Sequence, residues 1–95
     1  MASSVIKNIS VKSSSKSLPL TSATAGANGY LTFDFSEFAN KTFTGGLACV
    51  GHLATGLITG GIFLVESTGT VYVPWYAPKA FTDNSNTVNV TLYYI

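Results

Sequence analysis

Alternation of apolar and polar side chains is the dominant pattern along this chain. The clearest case is YLTFDFS at residues 30–36, in which every second side chain is apolar. The same period of two recurs in TVYVPW at residues 70–75 and in TVNVTLYYI at residues 87–95. A period of two is that of a strand with one face on a core. Since a helical pattern is confined to a single turn at residues 36–39, the chain is predicted to be all-β.

The centre of the chain, GGLACVGHLATGLITGGIFLV at residues 45–65, has no charged residue and the length of a membrane span. Six of its twenty-one residues are glycine, and no basic cluster flanks it. The apolar pattern also continues through a turn at Ser67–Gly69 into a return strand, which indicates a hairpin. We therefore predict two strands, 47–54 and 57–66, that are apolar on both faces and covered by a second layer or by neighbouring copies. A membrane span is the alternative.

The remaining segments complete the predicted organisation. Residues 1–17 contain seven serines and three lysines and are interpreted as a lead-in or a connection to a fibre shaft, with a short strand near residues 5–11. Residues 18–95 hold about six short strands separated by Gly, Asn, Ser and Pro. This spacing favours one antiparallel β-sandwich domain of jelly-roll type.

The composition limits the classes of function. Only 9% of the 95 residues are charged while 46% are hydrophobic, which leaves little charge to cover a small domain on all sides. Identical copies or a partner are therefore expected to cover part of the surface. The net charge of +1 and the absence of arginine argue against a nucleic-acid-binding protein. The first residues lack the apolar region of a secretory signal, so we expect synthesis in a cytoplasm.

Groups for catalysis or metal binding are scarce. Cys49 and His52, the only cysteine and the only histidine, fall on opposite faces of a predicted strand, so one zinc ion could not readily take both. A single cysteine excludes an intrachain disulfide. Asp34 lies on the polar face of its strand, and its pairing with Glu37 is read as surface chemistry. The chain is predicted not to be an enzyme and to need no cofactor or metal.

A cluster of aromatic rings and short polar side chains suits ligand binding better. Flat rings cover the apolar faces of sugars, while short Asp and Asn side chains hydrogen-bond hydroxyl groups. Trp75 shares its predicted face with Val71 and Val73 and fits a core position equally well. The predicted ligand-binding residues are Tyr72, Trp75, Tyr76, Asp83, Asn84 and Asn86.

Three stretches carry a resemblance to a known family. GYLTFDFSEFANKTF, IFLVESTGTVYVPW and the terminal NTVNVTLYYI resemble the C-terminal tip domains of tailed-bacteriophage fibre and receptor-binding proteins. The resemblance covers residues 28–95 and rests on pattern and turn placement. It implies a β-sandwich homotrimer at the end of a fibre, located in the virion and binding a host-surface saccharide or protein. The alternative is a structural virion protein, such as a decoration, cap or trimerisation domain, with no ligand of its own.

Overall fold

The computed structural model describes residues 10–51, 56–82 and 86–95, and these residues are all-β. The strands are β1 (Lys12–Leu20), β2 (Asn28–Asp34), β3 (Phe43–Val50), β4 (Ile58–Thr59), β5 (Phe63–Val65), β6 (Thr70–Tyr76) and β7 (Asn86–Tyr94). Within the described ranges, the helical structure is one 3₁₀ turn at Ser36–Phe38. The all-β prediction is thus confirmed. No helix among the described residues has both the length and the hydropathy to cross a membrane.

The strands form two antiparallel sheets with nested pairing. The first sheet has the order β1-β7-β3, and the second has the order β2-β6-β4, with β5 also paired to β6. β2 pairs with the whole length of β6 on one side. On the other side of β6, β4 and β5 lie end to end. The chain therefore alternates between the sheets from β1 to β4, and its last strand returns to lie between β1 and β3.

The core draws on both sheets. Its side chains occupy alternate positions of β2, β6 and β7, as the period of two predicts. Burial of each of these side chains stabilises the fold by about 1.5–3 kcal/mol. The largest of the deeply buried apolar side chains are Phe33, Val71, Val73, Val88, Val90 and Leu92, together with Phe35 immediately after β2.

The N-terminal strand crosses the boundary predicted between residues 17 and 18. All nine residues of β1 pair with β7, so the predicted boundary between residues 17 and 18 falls inside a strand. Alternate serines of β1 point away from the core, and the Ser15 hydroxyl lies 2.7 Å from the Thr91 hydroxyl on the neighbouring strand. Serine-rich composition predicts a lead-in or a connection to a shaft, whereas the serines of β1 contribute to the outer face of a sheet. The short strand predicted near residues 5–11 lies mostly outside the described residues, and β1 begins only at Lys12.

The central apolar run forms strands, but differently from the prediction. β3 ends at Val50, and residues 52–54 of the predicted strand 47–54 lie outside the described residues. The predicted strand 57–66 is divided into β4 and β5 at Gly60 and Gly61. Leu47, Ile58 and Phe63 are exposed, so within one chain these strands are covered on one face only.

The predicted hairpin after the apolar run is present. β5 and β6 are antiparallel neighbours, with Phe63 opposite Tyr72 and Val65 opposite Thr70. Gly69 closes the turn at a φ of +71°, where glycine has no steric cost, and its N–H donates to the carbonyl of Val65 at 2.8 Å. This turn fixes the register that positions the candidate site.

Candidate functional site

Of the exposed aromatic rings on the outer face of the second sheet, three lie side by side. We call Tyr30, Phe63 and Tyr72 the aromatic platform. Tyr72 lies between Val71 and Val73, which face the core, so its own ring must point outwards. Phe63 on β5 lies directly opposite Tyr72 on β6. On the other side of β6, Tyr30 on β2 is the diagonal neighbour of Tyr72. The three rings thus form a row across β5, β6 and β2.

The platform is open to solvent. Tyr30 is 64% exposed, Phe63 is 60% exposed and Tyr72 is 38% exposed. The three rings line a shallow groove of about 400 Å³. Large aromatic rings usually bury most of their surface, so three exposed rings side by side indicate an interaction surface.

The apolar surface continues along β6 beyond the platform. Tyr76 points outwards like Tyr72, four residues further along, and it is 44% exposed. Ile58 stands opposite Tyr76 on β4 and is also exposed. Pro74, between the two tyrosines on the same face, is half-buried. The result is an apolar strip along one strand, with the platform at one end.

Trp75 lies on the inner face of the second sheet. It is half-buried and packs against the core. Opposite it on β2 is Gly29, where an added Cβ would lie 3.2 Å from the indole ring. Glycine at this position leaves room for the indole, and Trp75 therefore does not belong to the platform.

Of the predicted polar part of the site, the structure describes one residue, Asn86. Asn86 was predicted in an exposed loop, and this placement is wrong: it is the first residue of β7, opposite Leu20, and is fully buried. Its side chain presents no surface to a ligand in the single chain. The strand begins one residue before the predicted Thr87, which turns Asn86 inwards. Asp83 and Asn84 lie outside the described residues.

Charged groups gather at the edge where β1 and β2 meet, around Lys16. Its ammonium lies 2.6 Å from a carboxylate oxygen of Glu37, donates to the backbone carbonyl of Asp34, and sits 5.0 Å from the centre of the Phe35 ring. The hydrogen bond from Lys16 lowers the pKa of Glu37. Hydrogen bonds from Ser36 lower the pKa of Asp34. Both carboxyl groups are thus held ionised at this edge.

Metal-binding groups do not converge in the described part of the chain. Residues 10–51, 56–82 and 86–95 contain no group of three or more His, Cys, Asp and Glu side chains able to hold a metal ion. Cys49 is a free, exposed thiol on β3. His52 lies outside the described residues.

Two of the three platform residues were missed by sequence reasoning. The sequence pattern predicts Tyr30 as the start of a strand and Phe63 as part of a strand that is apolar on both faces. The sequence places Tyr30 in step with Thr32 and Asp34, so its exposure could have been inferred. The meeting of Tyr30 and Phe63 beside Tyr72 depends on strand pairing, which the pattern alone does not give.

Comparison with known proteins adds no assignment. No family model matches the chain, and no curated protein or solved structure matches it at a significant level. The interpretation of function therefore depends on the geometry of the chain itself.

Proposed function

We propose that this protein is a non-enzymatic recognition module that binds a cell-surface saccharide on the aromatic platform. The observation that carries the proposal is the row of three exposed rings, Tyr30, Tyr72 and Phe63, around one open groove. A soluble domain gains nothing in stability by leaving three such rings in water, whereas a binding surface uses them.

The chemistry of the platform suits sugars. Ring faces cover the C–H faces of a pyranose, and the hydroxyls of Tyr30 and Tyr72 can donate to and accept from sugar hydroxyls. Neighbouring strands lie about 4.8 Å apart, so a row across three strands spans roughly 10 Å. This width fits about two consecutive sugar rings. Thr32, exposed on β2 opposite Tyr72, adds a further hydroxyl beside the row.

The connectivity supports a β-sandwich of jelly-roll type. The first strand pairs with the last and the second with the next to last, while the chain alternates from β1 to β4 between two sheets that share one core. This nesting is typical of a jelly roll. Together with the resemblance of residues 28–95 to phage fibre tips, it favours a homotrimeric receptor-binding module of a virion. The exposed apolar side chains of Leu47 and Ile58 support assembly from identical copies.

Saccharide binding is testable with two variants of the most exposed rings. The parent protein is applied to an array of purified bacterial lipopolysaccharides and capsular polysaccharides, followed by Tyr30→Ala and Phe63→Ala. A sugar that covers about half of the exposed ring surface removes roughly 65 Å² from water, worth about 1.6 kcal/mol or about 15-fold in Kd. We expect each variant to bind the saccharide about 15-fold more weakly than the parent protein does.

The matched control is Val11→Ala, which removes an exposed apolar side chain, 57% exposed, outside the second sheet. It should bind like the parent. Equal affinity of parent, Tyr30→Ala and Phe63→Ala for every saccharide bound would refute the proposed site.

A structural virion protein is the second candidate. The same exposed rings favour it, because an assembly partner could cover them. Hydroxyl-radical footprinting of the native oligomer separates the two functions. Oxidation of Tyr30 and Phe63 at the rate of free side chains supports recognition, while protection of both rings supports a structural role.

A further inference from the structure

A second aromatic ring and a carboxamide lie together on the outer face of the second sheet, away from the platform. Tyr76 on β6 is 44% exposed, and Asn28 on β2 lies directly opposite it and is also exposed. Both side chains point outwards, on the same face as Tyr72. We call these two residues the Tyr76–Asn28 pair. A ring face beside an amide can cover the C–H face of a sugar and hydrogen-bond its hydroxyls.

The surface between the platform and the Tyr76–Asn28 pair is kept low. Pro74 occupies the outward position of β6 between Tyr72 and Tyr76, and the Gly60 N–H donates to its carbonyl at 2.9 Å. A Cβ on Gly60 would lie 3.0 Å from Cγ of Pro74, so a side chain there would stand beside the proline ring. With glycine at this position, the two aromatic areas are joined by an open path over Pro74.

The distance along β6 sets the size of a ligand that contacts both areas. Tyr72 and Tyr76 are four residues apart on one strand, which corresponds to about 14 Å. In the row across the platform, roughly 10 Å holds about two sugar rings. A chain that covers both tyrosines therefore needs about four units, whereas a disaccharide covers the platform alone.

The charges on this face also limit the ligand. Strands β2, β4, β5 and β6 contain one charged side chain, Asp34, which lies at the platform end. Hydrogen bonds from Ser36 lower the pKa of Asp34, so its carboxylate is ionised. Lys16, at the neighbouring edge, is already paired with Glu37. An acidic sugar would meet a like charge here and no lysine of these strands, so the face favours an uncharged saccharide.

We propose that the ligand is an uncharged polysaccharide, bound as a segment of about four units along β6 from the platform to the Tyr76–Asn28 pair. The pair is then a second contact area for the same chain, reached over Pro74. The inference rests on the proposed saccharide function and adds the chain length, the charge and the second contact area. Because only a longer chain reaches Tyr76, short and long oligosaccharides respond differently when this residue is changed.

A chain-length series tests the second contact area. The probes are oligosaccharides of two, four and six units, cut from the polysaccharide that binds the parent most tightly on the array. Binding is measured by isothermal titration calorimetry, with chains too short to join two protein molecules. We expect the parent to bind four units about ten-fold more tightly than two, and six units with nearly the same Kd as four.

Variants of the pair separate it from the platform. A sugar that covers half of the exposed Tyr76 ring removes roughly 45 Å² from water, which corresponds to about six-fold in Kd. Tyr76→Ala should therefore bind four units about six-fold more weakly and two units like the parent. Asn28→Ala should lose about three- to ten-fold for four units alone, through a lost hydrogen bond. Tyr76→Phe keeps the ring and should match the parent, whereas Tyr30→Ala should weaken both lengths.

Failure of this inference is distinguishable from failure of the proposed function. Equal affinity of the parent for two and four units, or an equal loss at both lengths with Tyr76→Ala, would overturn the second contact area and leave binding on the platform in place. Array binding confined to polysaccharides with acidic repeating units would overturn the uncharged class. Absence of binding to every saccharide would refute the proposed function and this inference with it.

Discussion

The turn at Gly69 gives a sharp test of how the aromatic platform is positioned. An alanine there would hold a left-handed backbone conformation, which costs about 1–2 kcal/mol. Its Cβ would also overlap the backbone oxygen of Phe35, lie 2.7 Å from the carbonyl carbon of Phe35 and lie 3.0 Å from the Cα of Ser36. Backbone atoms cannot move aside as a flexible side chain does. We expect Gly69→Ala to lower the free energy of unfolding by about 3 kcal/mol.

Thermal unfolding followed by far-ultraviolet circular dichroism measures this effect. For a domain of this size, about 3 kcal/mol corresponds to a fall in Tm of roughly 12–24 °C. Gly26 has a similar φ of +82° but nothing within 4 Å of an added Cβ, so Gly26→Ala carries only the backbone cost of about 1–2 kcal/mol and should lose about 4–16 °C. Gly45→Ala has space and no positive φ, and it should not lower Tm. A Tm for Gly69→Ala equal to that for Gly26→Ala would refute the steric reasoning.

Two further predictions concern stability. Val90→Ala removes two fully buried methyl groups from β7 and should cost about 2–3 kcal/mol in urea denaturation, whereas Tyr30→Ala, at an exposed ring, should cost less than about 0.5 kcal/mol. Because Lys16 lowers the pKa of Glu37, their pair stabilises the folded chain above the ordinary glutamate pKa of about 4.3, and this contribution is lost as the pH falls through the lowered value. Parent and Glu37→Gln should therefore differ in Tm at pH 6 and converge at acidic pH, and a difference independent of pH would contradict the ion pair.

Alternation along single strands was readable from the sequence. Phe33, Val73 and Val90 are buried where the period of two places apolar side chains, because one face of each strand meets the core. Tyr72 and Tyr76 are exposed for the same reason. Local pattern decides these positions without knowledge of partner strands.

Positions that depend on partner strands were not readable. Serine-rich β1 is a strand because β7 offers it a full set of backbone partners, which local propensity does not reveal. Gly60 and Gly61 divide a run that looked continuous. Asn86 is buried because β7 starts one residue earlier to pair with Leu20. The aromatic platform escaped sequence reasoning because Tyr30 and Phe63 meet only through the register of two different strand pairs.

The most direct test of the central claim is an aromatic NMR titration with a saccharide that the array identifies as bound. Binding on the platform predicts that ring resonances of Tyr30, Phe63 and Tyr72 shift together with one Kd, while those of the buried Phe33 and Phe35 stay in place. Saturable binding that leaves all three platform rings unshifted would contradict the account.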